Sequence, residues 1–149
     1  MRCVVQRVTE ASVTVNGETV GAVGPGLMVL IGVSTEDTDA DLKYMADKVP
    51  NLRIFDDENG VMNRSILDTG GEILSISQFT LLGDVRHGKR PSWIRAERPE
   101  EANDMYMRFN EALRAKGIRV EEGVFQAEML VEIHNDGPVT ILLDSKKTF

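Results

Sequence analysis

Apolar and polar residues follow one another along the chain in patterns that predict a β-sheet with two helices. Residues 12–23 (SVTVNGETVGAV) alternate on either side of Asn16-Gly17, which predicts a β-hairpin with a two-residue turn. Residues 27–33 (LMVLIGV) are continuously apolar, as expected for a strand that is buried on both faces. Further strand-like runs occupy residues 52–55, 72–83, 118–125, 129–134 and 139–144.

Two segments have helical spacing instead. The first can be capped by Asp37 or Thr38 and is bounded by Pro50. Its apolar residues recur at i, i+3, i+4 and i+7: Leu42, Met45, Ala46 and Val49. The second has Pro99 in its first turn and ends at Gly117. Its apolar stripe consists of Ala102, Met105, Tyr106, Phe109 and Leu113.

The predicted fold class follows from this count of elements, because strands outnumber helices by roughly seven to two. We expect an α+β fold in which two main helices pack on a curved, barrel-like sheet that is largely antiparallel or mixed. No linker, repeat or low-complexity tract interrupts the chain, so residues 1–149 are predicted to form a single domain. Residues 135–140 (NDGPVT) are rich in turn formers and separate two apolar runs, which predicts a hairpin loop.

The composition narrows the class of protein. Hydrophobic residues make up 42% and charged residues 28% of the chain, as is typical of globular proteins. No apolar run approaches the roughly 20 residues that cross a bilayer, and the first 15 residues lack a signal-peptide pattern. We therefore expect no membrane association. Cys3 is the only cysteine, so no intrachain disulfide can form, which favours a cytoplasmic location.

Charge is distributed unevenly along the sequence. The net charge of −7 argues against broad non-specific binding of nucleic acid. Residues 84–98 (DVRHGKRPSWIRAER) nevertheless contain five basic residues and only two acidic ones. Such a basic segment can contact phosphate groups, or it can be a solvated loop with paired charges, and the sequence alone leaves both interpretations open.

Familiar catalytic patterns are missing from the sequence. His87 and His134 accompany no Gly-x-Ser-x-Gly elbow, and no His or Cys spacing matches a metal site, so neither a metal nor a cofactor is predicted. Gln78 and Thr80 are predicted to share a strand face with apolar residues, either as a wetted edge strand or as a polar patch at the mouth of a pocket. Thr80 could act as a nucleophile only beside a base, and the sequence predicts no such base.

Two stretches, SQFTL (77–81) and NDGPVT (135–140), occur in the order and at the spacing found in D-aminoacyl-tRNA deacylases. Together with QRV, ASVTV, NLRIF, GKRPSW and VTILLDS, they make the chain resemble this family over essentially its whole length. The resemblance implies a cytoplasmic homodimer, without a cofactor, that hydrolyses the ester between a D-amino acid and its tRNA. It also implies removal of glycine from mischarged tRNA.

The resemblance also assigns the site. It implies that the bond between Gly137 and Pro138 is cis and that this loop reaches into the pocket of the partner subunit. It implies further that the motif at 77–80 lines the site and holds the terminal adenosine. These four residues are Ser77, Gln78, Phe79 and Thr80. A further family motif, Phe-x-Ala-x-Met, matches Phe125 and Met129, although this chain has Gln126 where the family often has glycine.

The substrates share a D-configured Cα but differ in side chain, so chirality must be recognised by groups that do not vary. Main-chain groups at Gly137 and Pro138 meet that need, and an L side chain would collide with them. The ester is already activated, so backbone N–H groups near Phe79 and Thr80 can bind the developing charge while the ribose 2′-OH organises water. In this hypothesis Thr80 positions groups and does not attack.

Residues Arg86, Lys89 and Arg90 are then expected to contact acceptor-stem phosphates. Trp93 either packs beneath the loop or stacks on a base. Three rival hypotheses remain at this point. The chain could be a non-catalytic RNA-binding module, a small-molecule hydrolase that uses Thr80, or a structural dimer whose 135–140 loop only fixes an interface.

Overall fold

The computed structural model describes all residues from Met1 to Phe149 and has an α+β architecture. The strands are β1 Arg2–Val15, β2 Glu18–Val23, β3 Gly26–Gly32, β4 Phe55–Asp56, β5 Met62–Arg64, β6 Glu72–Ser77, β7 Val120–Glu122 and β8 Leu130–Asp144. The helices are α1 Asp39–Asn51, α2 Ile66–Thr69 and α3 Pro99–Arg114, and residues Phe79–Leu82 form a 3₁₀ helix.

The main sheet is mixed, with the strand order β2-β1-β3-β6-β7 and with β8 paired to β1. Strand β1 is antiparallel to β2, β3 and β8, whereas β3, β6 and β7 run parallel to one another. One edge of β1 carries β8 along almost its whole length, and the other edge carries first β3 and then β2. The result is the nearly closed, barrel-like sheet expected from the sequence.

The sequence signals that depend on a few adjacent residues are confirmed. Asn16 and Gly17 have φ values of 50° and 79°, as a two-residue hairpin turn between β1 and β2 requires. Thr38 caps α1 in a reciprocal capping box with Asp41, and Pro50 lies inside the last turn of the helix rather than beyond it. The second predicted helix is α3, with Pro99 at its start.

The prediction of one strand over residues 72–83 is wrong. Strand β6 ends at Ser77, because its partner β3 ends at Gly32 and the Gln78 amide makes the last bond, 2.7 Å from the Ile31 carbonyl oxygen. The chain then turns into the 3₁₀ helix, which packs closely on β3. A Cβ at Gly32 would lie 2.6 Å from a methyl group of Leu82, so a side chain there would push this turn away.

The predicted hairpin at residues 135–140 is also wrong. The two apolar runs do not pair with each other, because both belong to β8 and pair with the continuous strand β1. Thr140 lies opposite Gln6 and Asn135 lies opposite Val8, so residues 136–139 have only Arg7 to face. They therefore leave the ladder as a bulge. Strand β7 is likewise shorter than the predicted run 118–125, because it pairs with only three residues of β6.

Two apolar clusters form the core. The larger lies between the sheet and the two long helices, and contains Met45, Phe109 and the buried Cys3. The smaller lies inside the curve of the sheet and contains Val13, Met28 and Leu74. Apolar faces of β8 cover both clusters on either side of the bulge. None of the helices combines the length and the apolar character that crossing a membrane demands.

Candidate active site

A cavity of about 550 Å³ opens where β6, β7 and α3 meet. The end of β6 contributes Ser77 and Gln78, followed by Phe79 of the 3₁₀ helix. The segment between β7 and β8 contributes Phe125, Gln126, Ala127 and Met129. The segment that leads into α3 supplies a third wall, which includes Trp93, Glu97 and Arg98. The fold thus brings together two motifs that are far apart in sequence.

The corner between β6 and the 3₁₀ helix presents backbone donors beside this cavity. The amide N–H groups of Phe79 and Thr80 have no acceptor within the chain, as is usual for the first residues of such a helix. Thr80 is exposed and does not line the cavity itself, but it directly follows Phe79, which does. Gln78 Nε2 donates to Thr80 Oγ1 at 2.5 Å.

No general base accompanies Thr80. Its hydroxyl makes no hydrogen bond to a carboxylate or a histidine, and its oxygen already accepts from Gln78. His134 lies on β8 and pairs with Glu10 of β1 at 3.3 Å. The arrangement therefore lacks the nucleophile and base pair that covalent catalysis requires.

Trp93 packs on the corner rather than standing free. Its ring meets that of Phe79 edge to face, with centroids 5.3 Å apart. A Cβ at Gly83 would lie 2.7 Å from the indole ring, so this glycine allows Trp93 to cover the end of the 3₁₀ helix. Because 42% of the tryptophan surface is still exposed, the ring supports the corner and also forms part of the cavity wall.

The opposite wall explains why the family often has glycine where this chain has Gln126. Gln126 has a φ of 66°, in the left-handed region that favours glycine. The backbone thus keeps the glycine-like conformation, at a cost of about 1 kcal/mol for a side chain there. Met129 lies against Gly123, where a Cβ would be 2.5 Å from its sulfur atom.

The bulge in β8 contains a cis peptide bond between Gly137 and Pro138, as the resemblance implies. Both residues are exposed, and neither lines the cavity of its own chain. Asn135 holds the base of the bulge, because its Nδ2 donates to the carbonyl oxygens of Arg7 at 2.9 Å and Val139 at 3.0 Å.

Other side chains brace the bulge from β1 and β8. Gln6 Nε2 donates to Asn135 Oδ1 at 3.0 Å. Thr140 Oγ1 lies 3.2 Å from both Asn135 Oδ1 and the Pro138 carbonyl oxygen, so it can donate its one proton to either. Arg7 Nε lies 3.2 Å from Asp136 Oδ2, an ion-pair distance without hydrogen-bond geometry. The bulge is therefore exposed but held in one conformation.

The basic segment contains one paired and two unpaired cations among the residues predicted to contact phosphate. Arg86 is bound by Asp84, with Nη2 2.6 Å from Oδ2, and this bond lowers the pKa of Asp84 and raises that of Arg86. Lys89 and Arg90 are exposed and take part in no ion pair. Arg98, which the sequence does not distinguish from the other basic residues of this segment, lines the cavity.

Sequence reasoning also missed the residues that brace the bulge. Gln6 and Arg7 belong to the QRV motif, to which the resemblance assigns no role. Asn135 was interpreted only as a turn former. A signal was present in each case, because polar residues on a strand that covers a core need partners.

The fold and the site define a class of protein: an α+β, barrel-like chain with a cavity of about 550 Å³ beside a corner whose backbone N–H groups have no acceptor within the chain. The chain belongs to the D-Tyr-tRNA(Tyr) deacylase family, whose family model matches residues 4–144. It is 60% identical over 149 residues to a D-aminoacyl-tRNA deacylase of Symbiobacterium thermophilum, covering 100% of this chain and 99% of that protein. It is 56% identical to one of Bacillus velezensis, covering 99% of this chain and 100% of that protein.

Two solved structures share the fold of this chain. The c-Myc DNA unwinding element binding protein superposes with a TM-score of 0.91 at 48% identity, over 97% of this chain and 98% of that one. A probable eukaryotic D-amino acid tRNA deacylase superposes with a TM-score of 0.82 at 20% identity, over 95% and 97% of the two chains. The second comparison establishes a shared fold.

Proposed function

We propose that this protein hydrolyses the ester bond of D-aminoacyl-tRNA, freeing the tRNA and the D-amino acid, and rejects L-aminoacyl-tRNA. Family membership and the deacylases at 60% and 56% identity support the reaction class. Its role would be quality control in translation, in the cytoplasm and without a cofactor.

The cavity suits the terminal adenosine of the tRNA. Its volume of about 550 Å³ lies within the usual range for small-molecule sites. Ser77 and Gln78 supply polar groups at one end, while Phe125 and Met129 supply apolar surface on the opposite wall. Lys89 and Arg90 then meet acceptor-stem phosphates without any need to recognise bases.

The observation that carries the proposal is the exposed but braced bulge at Gly137 and Pro138. Its main-chain groups are available to a ligand, yet its own chain's cavity does not use them. In the proposed homodimer, the bulge of one subunit closes the cavity of the other and judges the configuration at Cα. An L side chain collides with this backbone. Glycine has no side chain that could collide, so glycyl-tRNA is also hydrolysed.

The chemistry needs positioning and charge stabilisation more than a protein nucleophile. The free N–H groups of Phe79 and Thr80 lie where they can receive the negative charge that develops on the ester oxygen. The ribose 2′-OH of the tRNA organises the attacking water. Thr80, whose oxygen accepts from Gln78, holds the geometry of the corner.

One assay tests the proposal and its rivals together. D-tyrosyl-tRNA and L-tyrosyl-tRNA are compared, each with a normal terminal adenosine and with a terminal 2′-deoxyadenosine. We expect release of D-tyrosine alone, and only when the 2′-OH is present. Binding of RNA without release of tyrosine favours the RNA-binding module. Hydrolysis of a free D-tyrosine ester at the same rate as D-tyrosyl-tRNA favours the small-molecule hydrolase. If neither release nor RNA binding occurs, the bulge has only a structural role.

Two variants test the assigned roles. Thr80→Ala is expected to retain substantial activity, and a trapped acyl-enzyme on Thr80 in the wild type refutes the positioning role. Gly137→Ala reshapes the bulge, because φ is 115° and a Cβ would lie 2.8 Å from the Val139 nitrogen. It is expected to lose D-substrate activity or to admit L-substrate. Gly60→Ala is the control, since it has a similar positive φ of 75° and open space around it.

Subunit mixing tests whether the bulge acts across the dimer. Gly137→Ala chains keep an intact cavity, and Phe125→Ala chains keep an intact bulge. Random mixing gives heterodimers in about half of the dimers, each with one complete site, so about a quarter of wild-type activity should return. No recovery in a mixture that forms heterodimers would contradict the cross-subunit arrangement.

A further inference from the structure

A largely buried polar network joins α3 to β6 and β7, the two strands that lead into the walls of the candidate cavity. The Tyr106 hydroxyl donates to the Ser75 carbonyl oxygen at 2.7 Å, and the Ser75 hydroxyl donates to Asn110 Oδ1 at 2.5 Å. Asn110 Nδ2 donates in turn to Glu122 Oε2 at 2.9 Å. Since Ser75 and Glu122 are paired across β6 and β7, the network closes a ring around the two strands and the helix.

The burial of this network makes its geometry well defined. Ser75 and Asn110 are 0% exposed and Tyr106 is 2% exposed, so no water replaces a partner lost among these three residues, whereas the Glu122 side chain is 32% exposed. Burial raises the pKa of Tyr106, and its hydroxyl therefore remains a donor. Buried hydroxyl and amide groups cost free energy unless their hydrogen bonds are made, so the network is stable in one arrangement only.

Each end of the network leads directly to the cavity. Ser75 stands two residues before Ser77, where the first wall begins, and Glu122 stands three residues before Phe125 in the second wall. The Tyr106 ring also stacks on Phe125, with centroids 6.4 Å apart and an interplanar angle of 28°. One tyrosine thus contacts the second wall through its ring and, through its hydroxyl, the residue of β6 that lies two positions before the first wall.

We infer that Tyr106 and Asn110 are positioning residues that set the separation of the two cavity walls and thereby the affinity for the terminal nucleoside of the substrate. The inference rests on the proposed function. Neither residue touches the ester, and both act through Ser75, Glu122 and Phe125. Their loss should weaken the binding of substrate and transition state together, which raises KM and leaves kcat nearly unchanged.

Tyr106→Phe is the sharpest test, because it removes the hydroxyl and keeps the ring on Phe125. We expect KM for D-tyrosyl-tRNA to rise about tenfold while kcat changes by less than about twofold. Tyr44→Phe is the matched control: Tyr44 is the only other tyrosine, and its hydroxyl makes no hydrogen bond within the chain. Asn110→Ala should shift KM in the same direction.

Kinetics are measured well below the melting temperature of each variant, so that loss of stability alone leaves KM unaltered. An unchanged KM in Tyr106→Phe, or a fall in kcat without a change in KM, overturns the inference while wild-type activity keeps the proposed function intact. A wild type that releases no D-tyrosine overturns the proposed function and this inference with it. If Asn110→Ala fails to fold, Tyr106→Phe still decides the matter.

Discussion

Replacement of Asn135 by alanine removes the amide that holds the base of the Gly137–Pro138 bulge. In the folded protein this amide donates to the carbonyl oxygens of Arg7 and Val139, and its oxygen accepts from Gln6. Alanine makes none of these bonds. The bulge should then sample several conformations, while the pairing of β8 with β1 on either side is preserved.

The magnitude follows from the number of bonds and their exposure. Each hydrogen bond contributes a net of about 0.5–1.5 kcal/mol, and Asn135 is only partly buried, so water replaces some of the loss. The free energy of unfolding should fall by about 2–3 kcal/mol. For a chain of this size that corresponds to a melting temperature lower by roughly 5–10 °C.

Thermal and urea unfolding measure the first effect, and parallel release rates from D- and L-tyrosyl-tRNA measure the second. At a temperature where the variant is fully folded, its lower stability does not affect the rates of release. We expect the ratio of D-tyrosine release to L-tyrosine release to fall at that temperature. Asn59→Ala is the control, because the exposed Asn59 side chain makes no hydrogen bond within the chain. Wild-type stability and an unaltered rate ratio in Asn135→Ala would refute the bracing argument.

Three further predictions concern the cavity wall, the basic segment and the core. Trp93→Ala should lower kcat/KM about tenfold by freeing Phe79, with only a small change in melting temperature; unchanged kinetics contradict its supporting role. Neutralising Lys89 or Arg90 should reduce the slope of log KM against log salt by about 0.7–0.9 each, whereas Arg86→Ala, already paired with Asp84, should change it little. Burial raises the pKa of Asp41, but hydrogen bonds from Ser145, Thr38 and Lys146 outweigh burial and hold it below its ordinary value. Its stabilising contribution is therefore complete above about pH 4 and is lost at lower pH, so urea unfolding of wild type and Asp41→Asn should converge in acid.

The elements that the sequence predicted well are those determined by neighbouring residues. The hairpin turn at Asn16 and Gly17, the cap at Thr38 and the start of α3 at Pro99 each depend on a few adjacent positions. The errors, at residues 72–83, 118–125 and 135–140, concern pairing between distant strands. An alternating run cannot tell where its partner ends, and so the sequence did not reveal that β6 stops at Ser77.

In the candidate site too, residues of a motif are identified from the sequence, whereas contacts between distant elements are not. Motif residues such as Gln78 and Phe125 were identified by resemblance, and the fold places them in one cavity. Tyr106 was assigned to an apolar stripe, which is correct for its ring, but the spacing of α3 gives no sign that its hydroxyl binds β6. Arg86 was grouped with Lys89 and Arg90, although its pairing with Asp84 sets it apart.

The bulge at residues 136–139 admits two explanations that the structure helps to separate. Strand β8 pairs with β1 alone and is therefore an edge strand. The first explanation is that the protruding loop merely prevents this edge from associating with other chains. To prevent association, a loop needs only to be bulky and does not need a defined conformation. Here the loop is braced by Gln6 and Asn135 through several hydrogen bonds, and Arg7 lies beneath it with only 12% of its side chain exposed. Because a flexible loop would block an edge equally well, the bracing favours a loop that must present its backbone groups in fixed directions. Loss of the bracing should therefore impair substrate discrimination before it causes aggregation.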